Sequence, residues 1–230
     1  MITINIPRIR GGYASQEAYK SLRTNLMFCG DDKNVIAVTS CTPGEGKSSV
    51  SLNLSTSLAE AGNKVLLIEA DLRKPVLLGR LGAEQELKGL THYLSGQAKL
   101  EEVVCGTNYG NMHFIVAGHI PPNPTELLGS WAFQCMITEL REIYDYIILD
   151  TPPLGSAIDC AVIAQICDGT IMIIESGAVS YRLAREVADQ LKKTKCPLLG
   201  VVLNKVSQES MWTYGRYKYY NNYEGREGER

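Results

Sequence analysis

What this chain lacks narrows its function before any motif is read. No stretch approaches about eighteen uninterrupted apolar residues, so no membrane-spanning helix is expected. The opening Met-Ile-Thr-Ile-Asn-Ile-Pro-Arg lacks the basic, apolar and small-residue order of a secretion signal, and a cytoplasmic location is the expectation. The 7 cysteines are odd in number and form no Cys-x-x-Cys pair. That argues against a disulfide framework and for reduced, mostly buried small apolar residues. His92, His113 and His119 lack metal-ligand spacing and read as surface or packing residues. With a net charge of only −2, the chain has no general electrostatic grip on nucleic acid.

What is present is a core and a loop. The chain is 230 residues long and 45% hydrophobic, enough for one α/β domain with a tail. Val35 to Ser40 is a β-branched run, and the turn after it ends in Gly44-Glu45-Gly46-Lys47-Ser48. A helix-like stretch follows from Ser49 to Ala61. Strand, glycine-rich turn and helix N-terminus in that order make a cradle of backbone N–H groups for phosphates. Gly44 and Gly46 allow the backbone close approach. Lys47 supplies charge for the β- and γ-phosphates, and the Ser48 hydroxyl is placed to ligate Mg²⁺. Thr42, Pro43, Glu45 and Ser49 complete the loop. The full pattern places Gly where this chain has Cys41. A thiol so close to a helix N-terminus has a lowered pKa, but the simpler reading is a small residue that the loop tolerates.

Further apolar strands are expected at Lys64 to Ala70, Met112 to Ala117, Tyr146 to Asp150, Thr170 to Glu175 and Leu198 to Asn204. Helices are expected from Ser15, as N-cap, to Cys29, and over Leu87 to Leu94. Two more are expected over Thr125 to Ile143, broken near Gly129-Ser130, and Ser180 to Lys193. Asp71 to Gly82 reads as loop. Continuous apolar strands alternating with helices predict a doubly wound, mostly parallel sheet with helices on both faces. Ligands of such sheets lie beyond the strand C-termini. The loop, Glu69, Asp71, Asp150 and Asn204 all fall there. Asp150 is placed to hold Mg²⁺; Glu69 and Asp71, two residues apart, face the same site if the strand stays extended. Arg73 and Lys74 add positive charge beside them.

Residues 1–206 therefore read as one domain and 207–230 as a flexible tail, which holds Tyr214, Tyr217, Tyr219, Tyr220 and Tyr223 without helical or strand periodicity. Together these segments resemble the bacterial tyrosine kinases. Thr-Ser-Cys-Thr-Pro-Gly-Glu-Gly-Lys-Ser is similar to that family's deviant Walker A motif. Ile-Glu-Ala-Asp-Leu-Arg-Lys-Pro resembles its Walker A′ motif, and Ile-Leu-Asp-Thr-Pro-Pro its Walker B motif. Gly-His-Ile-Pro-Pro-Asn-Pro-Thr-Glu-Leu-Leu-Gly-Ser is also similar, and Glu17, Lys20 and Arg23 fall on the Glu-x-x-Arg-x-x-Arg self-association pattern.

The resemblance implies an ATP- and Mg²⁺-dependent protein-tyrosine kinase of capsular or exopolysaccharide export, in the split form activated by the cytoplasmic tail of a membrane protein. It implies a homo-oligomer able to close into a ring, recruited to the inner face of the membrane, with the tail tyrosines as phosphate acceptors. By position, Lys47 and Ser48 bind triphosphate and Mg²⁺, while Glu69, Asp71 and Asp150 serve Mg²⁺ and proton transfer. Two positions depart from the pattern: Glu69 stands where the family usually has Asp, and Lys20 replaces the first Arg. Asn204 would either recognise adenine or cap a strand. A rival reading is a switch ATPase or a non-catalytic ATP-binding assembly module. The switch ATPases carry a signature lysine where this chain has Thr42, and they have no use for five terminal tyrosines. The 13 residues from Val206 to Tyr219 span up to about 45 Å when extended, against a radius of gyration of about 17 Å for such a domain. Reach permits phosphorylation of either the same chain or a neighbour.

Overall fold

The computed structural model describes residues 2–7, 12–82 and 87–206. The expected tail, with its five tyrosines, lies outside the described residues. In chain order the strands are β1 (Thr3–Ile4), β2 (Val35–Ser40), β3 (Val65–Glu69), β4 (Val104–Thr107), β5 (Met112–Ile115), β6 (Tyr146–Asp150), β7 (Gly169–Glu175) and β8 (Leu198–Asn204). The helices are α1 (Tyr13–Met27), α2 (Lys47–Glu60), α3 (Leu77–Arg80), α4 (Leu90–Leu94), α5 (Leu100–Val103), α6 (Pro124–Leu128), α7 (Trp131–Arg141), α8 (Asp159–Ile163) and α9 (Tyr181–Lys192).

The strands form one sheet in the order β1-β4-β5-β3-β6-β2-β7-β8, and every neighbouring pair is parallel except β4 with β5. Period-two alternation explains why the central strands read as unbroken apolar runs. Along β2, Ile36 and Val38 join the core beneath α1 and α2, while Val35 and Ala37 join the core beneath α7. β3 divides the same way, Val65 and Leu67 against Leu66 and Ile68. All these side chains are fully buried. Each contributes about 1.5–3 kcal/mol on leaving water, and a polar substitution on either face would forfeit that.

The order also positions the site. β6 and β7 flank β2, so the chain runs to one side of β2 before the last strands are added on the other. That reversal beside β2 opens a crevice at the strand C-termini. In register, Asp150 lies opposite both Val38 and Glu69, so β3 and β6 end at one level and β2 runs two residues further, to Ser40.

Several local expectations need correction. Ser15 does not cap α1; the helix starts at Tyr13, and the Ser15 N–H already donates to the Gly12 carbonyl at 3.0 Å. Residues 71–82 are not all loop, because α3 forms within them. Leu87 to Gly89 stay outside α4, since Gly89 is extended. The break at Gly129-Ser130 is real: Ser130 caps α7 by accepting the Phe133 N–H at 3.3 Å. A Cβ at Gly129 would meet Val162 at 3.3 Å, so the missing side chain lets that turn approach α8. The short elements β1, β4, α5 and α8 escape periodicity because 2 to 5 residues complete no pattern.

Candidate active site

Between β2 and α2 the chain turns through Gly44 and Gly46, whose φ values of 91° and 94° are left-handed. Only glycine takes these at little cost. Gly46 is the N-cap of α2, so the unsatisfied first N–H groups of a 14-residue helix open into the turn. The turn is stiffened from within and below. Glu45, buried, accepts from both the backbone N–H and the hydroxyl of Thr42, and from the Glu175 N–H at 3.0 Å. Asn204 Nδ2 donates to the Glu45 carbonyl at 2.8 Å and lies under Gly46, where an added Cβ would come within 2.2 Å of it. A side chain there would strain the backbone and displace Asn204 from the Glu45 carbonyl. Cys41 is buried and its thiol is pushed up to about 11, first by burial and then by the Glu45 charge. It is no activated nucleophile. The Gly155 backbone packs against it: a Cβ there would lie 2.2 Å from the Cys41 carbonyl oxygen.

The three acids converge but differ in environment. Asp150 is fully buried at the end of β6. Its Oδ1 accepts from the Ser51 hydroxyl at 3.2 Å, while Oδ2 has no hydrogen-bond partner. Burial raises its pKa to about 6, against the lowering influence of the Lys47 charge and the Ser48 hydroxyl; Glu69 and Asp71 raise it further. Asp71 Oδ2 takes the Lys47 ammonium at 3.0 Å, and Oδ1 takes the Lys74 N–H at 3.0 Å. Glu69 is committed to backbone instead. Its Oε1 accepts from Val76 N at 2.7 Å and Leu77 N at 2.6 Å, and Oε2 from Ala117 N at 3.3 Å. Burial raises its pKa, the three N–H bonds oppose that, and Asp71 adds to it. Glu69 thereby ties the loop after β3 to the segment after β5 and caps α3, which is why part of the expected loop is helical. Both Glu69 oxygens therefore accept backbone N–H groups.

A cleft of about 380 Å³ lies over the turn, lined by Gly44, Gly46, Lys47, Ser48, Asp71, Arg73, Lys74, Arg80, Pro152 and Pro153 among others. Asp71 is the carboxylate on its wall; Glu69 and Asp150 lie behind. The donor set fits a triphosphate with a hard divalent cation. It has left-handed glycines, a helix N-terminus and a lysine for phosphate, and a buried carboxylate oxygen without a donor beside a serine hydroxyl for the cation.

Residues 33–195 match the family model described as an AAA domain. Tyrosine-protein kinase CpsD of Streptococcus agalactiae is 41% identical over 213 residues, covering 93% of both chains. Tyrosine-protein kinase CpsD of Streptococcus pneumoniae is 44% identical over 209 residues, 91% of this chain and 92% of that one. The chain belongs to the bacterial tyrosine kinases. Among solved structures, the kinase domain of the Escherichia coli tyrosine kinase ETK superposes with a TM-score of 0.80 at 29% identity, over 90% of this chain and 84% of that one.

Within this tyrosine kinase, the basic loop after β3 is anchored by contacts that the sequence did not reveal. Arg73 donates from Nε to Asp159 Oδ2 at 2.6 Å and from Nη2 to Oδ1 at 3.0 Å. Thr125 closes the triangle, donating to Asp159 Oδ1 at 2.6 Å and accepting from Arg73 Nη2 at 2.9 Å. Burial works to raise the Asp159 pKa, but the bonds from Arg73 and Thr125 outweigh it and hold the group below its ordinary value. The Asp159 signal was invisible because nothing near it repeats or resembles a motif. Of the expected self-association residues, Arg23 is engaged within the chain, donating to the Ser57 carbonyl at 2.7 Å. Glu17 and Lys20 pair with each other at 2.7 Å on the surface. Among the described residues no helix is long and apolar enough to cross a membrane.

Proposed function

We propose that this tyrosine kinase transfers the γ-phosphoryl group of ATP to protein tyrosines, its own Tyr214, Tyr217, Tyr219, Tyr220 and Tyr223 among them. The observation that carries the reading is the pairing of Lys47 with Asp71 on the cleft wall, backed by the unpartnered oxygen of Asp150. The Gly44–Gly46 turn and Lys47 bind and orient the triphosphate. Ser48, Asp71 and Asp150 would hold Mg²⁺, which when bound draws charge from the phosphates. Asp71 is the carboxylate available to orient the attacking phenol and take its proton as the new O–P bond forms and ADP leaves. Lys47 and the Lys74 N–H keep its two oxygens fixed for that task.

Membership of the family supports the wider reading. The kinase would act in capsule or exopolysaccharide synthesis, in the cytoplasm, as a homo-oligomer recruited and activated by the cytoplasmic tail of a membrane protein. Residues 207–230 would form a separate acceptor segment. Purified chain with Mg-ATP and its activator should gain phosphotyrosine between Tyr214 and Tyr223, read by mass spectrometry, and Lys47→Met should abolish it. An unmodified tail while ATP is hydrolysed would sink the proposal and favour a switch ATPase.

A further inference from the structure

The last described residues carry the only left-handed backbone among non-glycine residues described: Lys205, with φ of 55°. A lysine holds that conformation only where its surroundings over-determine it, and such outliers gather at functional positions. The surroundings here are the phosphate-binding turn itself. Lys205 Nζ donates to the Gly44 carbonyl at 2.8 Å and pairs with Glu175 Oε2 at 2.7 Å. One residue earlier, Asn204 donates to the Glu45 carbonyl at 2.8 Å. Two consecutive peptide groups of the turn are therefore gripped by their oxygens from the end of β8.

The consequence follows from peptide geometry. In a trans peptide the carbonyl and the N–H of the next residue point in opposite directions across one rigid plane. Among the peptide bonds of the described residues none is cis. Fixing the Gly44 carbonyl on Lys205 therefore aims the Glu45 N–H the opposite way. Fixing the Glu45 carbonyl on Asn204 does the same for the Gly46 N–H. These are amides of the turn that lines the cleft. The Lys205 bond is charge-assisted, whereas the one from Asn204 is neutral and part-buried.

We propose that Lys205 is a positioning residue for the triphosphate, one that orients the turn's amides without touching the nucleotide. The proposal rests on the reading that the cleft binds a nucleoside triphosphate. Without the ammonium the Gly44–Glu45 peptide can rotate, the competent turn is populated part of the time, and apparent affinity falls by that fraction. Chemistry at the γ-phosphate, set by Lys47 and the carboxylates, is a separate matter, so the effect should fall mainly on KM for ATP.

The test compares Lys205→Met, Lys205→Arg and Lys205→Gly in the full chain, by calorimetric titration with Mg-ADP and by KM and kcat for ATP. Lys205→Met should weaken Mg-ADP and raise KM by about five- to twenty-fold, with a smaller change in kcat. Lys205→Arg, which keeps a donor able to reach both oxygens, should return to within about three-fold of the parent. Lys205→Gly should weaken binding as the Met variant does while melting no lower than the parent, since it removes the backbone strain. Parent-like Mg-ADP affinity in the Met and Gly variants, whatever their melting temperatures, would overturn the proposal. Absence of Mg-ADP binding in the parent itself would overturn the nucleotide reading and this inference together.

Discussion

Asp150→Asn should stabilise the protein in the absence of nucleotide and metal while abolishing its activity. Asp150 is wholly buried, one oxygen has no partner, and burial lifts its pKa from the ordinary 3.8 to about 6. The folded chain thus holds the proton more tightly than the unfolded chain. Stability declines as pH rises from about 4 to 6 and is level above that window. That rise of about two pKa values corresponds to a penalty on the order of 3 kcal/mol at neutral pH. Asparagine removes the charge and keeps the shape, but adds an amide N–H₂ that needs an acceptor. A net gain of about 1–2 kcal/mol is expected, or a melting-temperature rise of about 2–8 °C for a chain of this size. Scanning calorimetry at pH 7.5 and pH 4.5 reads the effect. The gain should be present at the higher pH and nearly absent at the lower, where the parent Asp150 is protonated. Equal destabilisation at both pH values would refute the reasoning. In the same instrument Mg-ADP should raise the parent's melting temperature strongly and the variant's little.

Removing the acceptor for three backbone N–H groups, Glu69→Ala should cost about 2–4 kcal/mol in urea unfolding; a loss below about 1 kcal/mol would show that water replaces the carboxylate easily. Asp159→Ala frees Arg73 and Thr125 and should cost about 2 kcal/mol, less than a fully buried pair because Arg73 is partly exposed. Its kinase activity should fall as well, since Arg73 lines the cleft, and unchanged activity would separate that triangle from the site. Arg23→Ala removes the bond from α1 to the Ser57 carbonyl and should lower stability by about 1 kcal/mol. If self-association also runs through this helix, sizing chromatography should show smaller species for Glu17→Ala and Lys20→Ala with unchanged melting. Phosphorylated chain should elute smaller than dephosphorylated chain, because each phosphotyrosine adds about −1.5 to −2 charge; identical elution would count against that.

Much of the site was legible because its parts are local. Gly44, Gly46, Lys47 and Ser48 lie within five consecutive positions, and their chemistry needs only that a strand precede them and a helix follow. The parallel sheet was legible from the unbroken apolar runs of β2, β3 and β6, which only burial on both faces explains. Short elements were not, because the α3 helix is held by a carboxylate eight residues upstream of Leu77 and β4 by its antiparallel partner.

The phosphate-binding turn, the layered architecture and the set of acids at the strand ends could be read from the chain alone, since each rests on spacing along it. Which groups each acid touches was settled only by the tertiary structure. Register brought Glu69 and Asp150 level, the loop after β3 folded back onto Glu69, and Asp71 was left on the cleft wall beside Lys47. It also brought Asp159 to Arg73 and Lys205 to Gly44, contacts across 86 and 161 residues that no local pattern encodes. Spacing records what a short segment can do, while burial and long-range hydrogen bonds, settled only when the sheet closes, select among those possibilities.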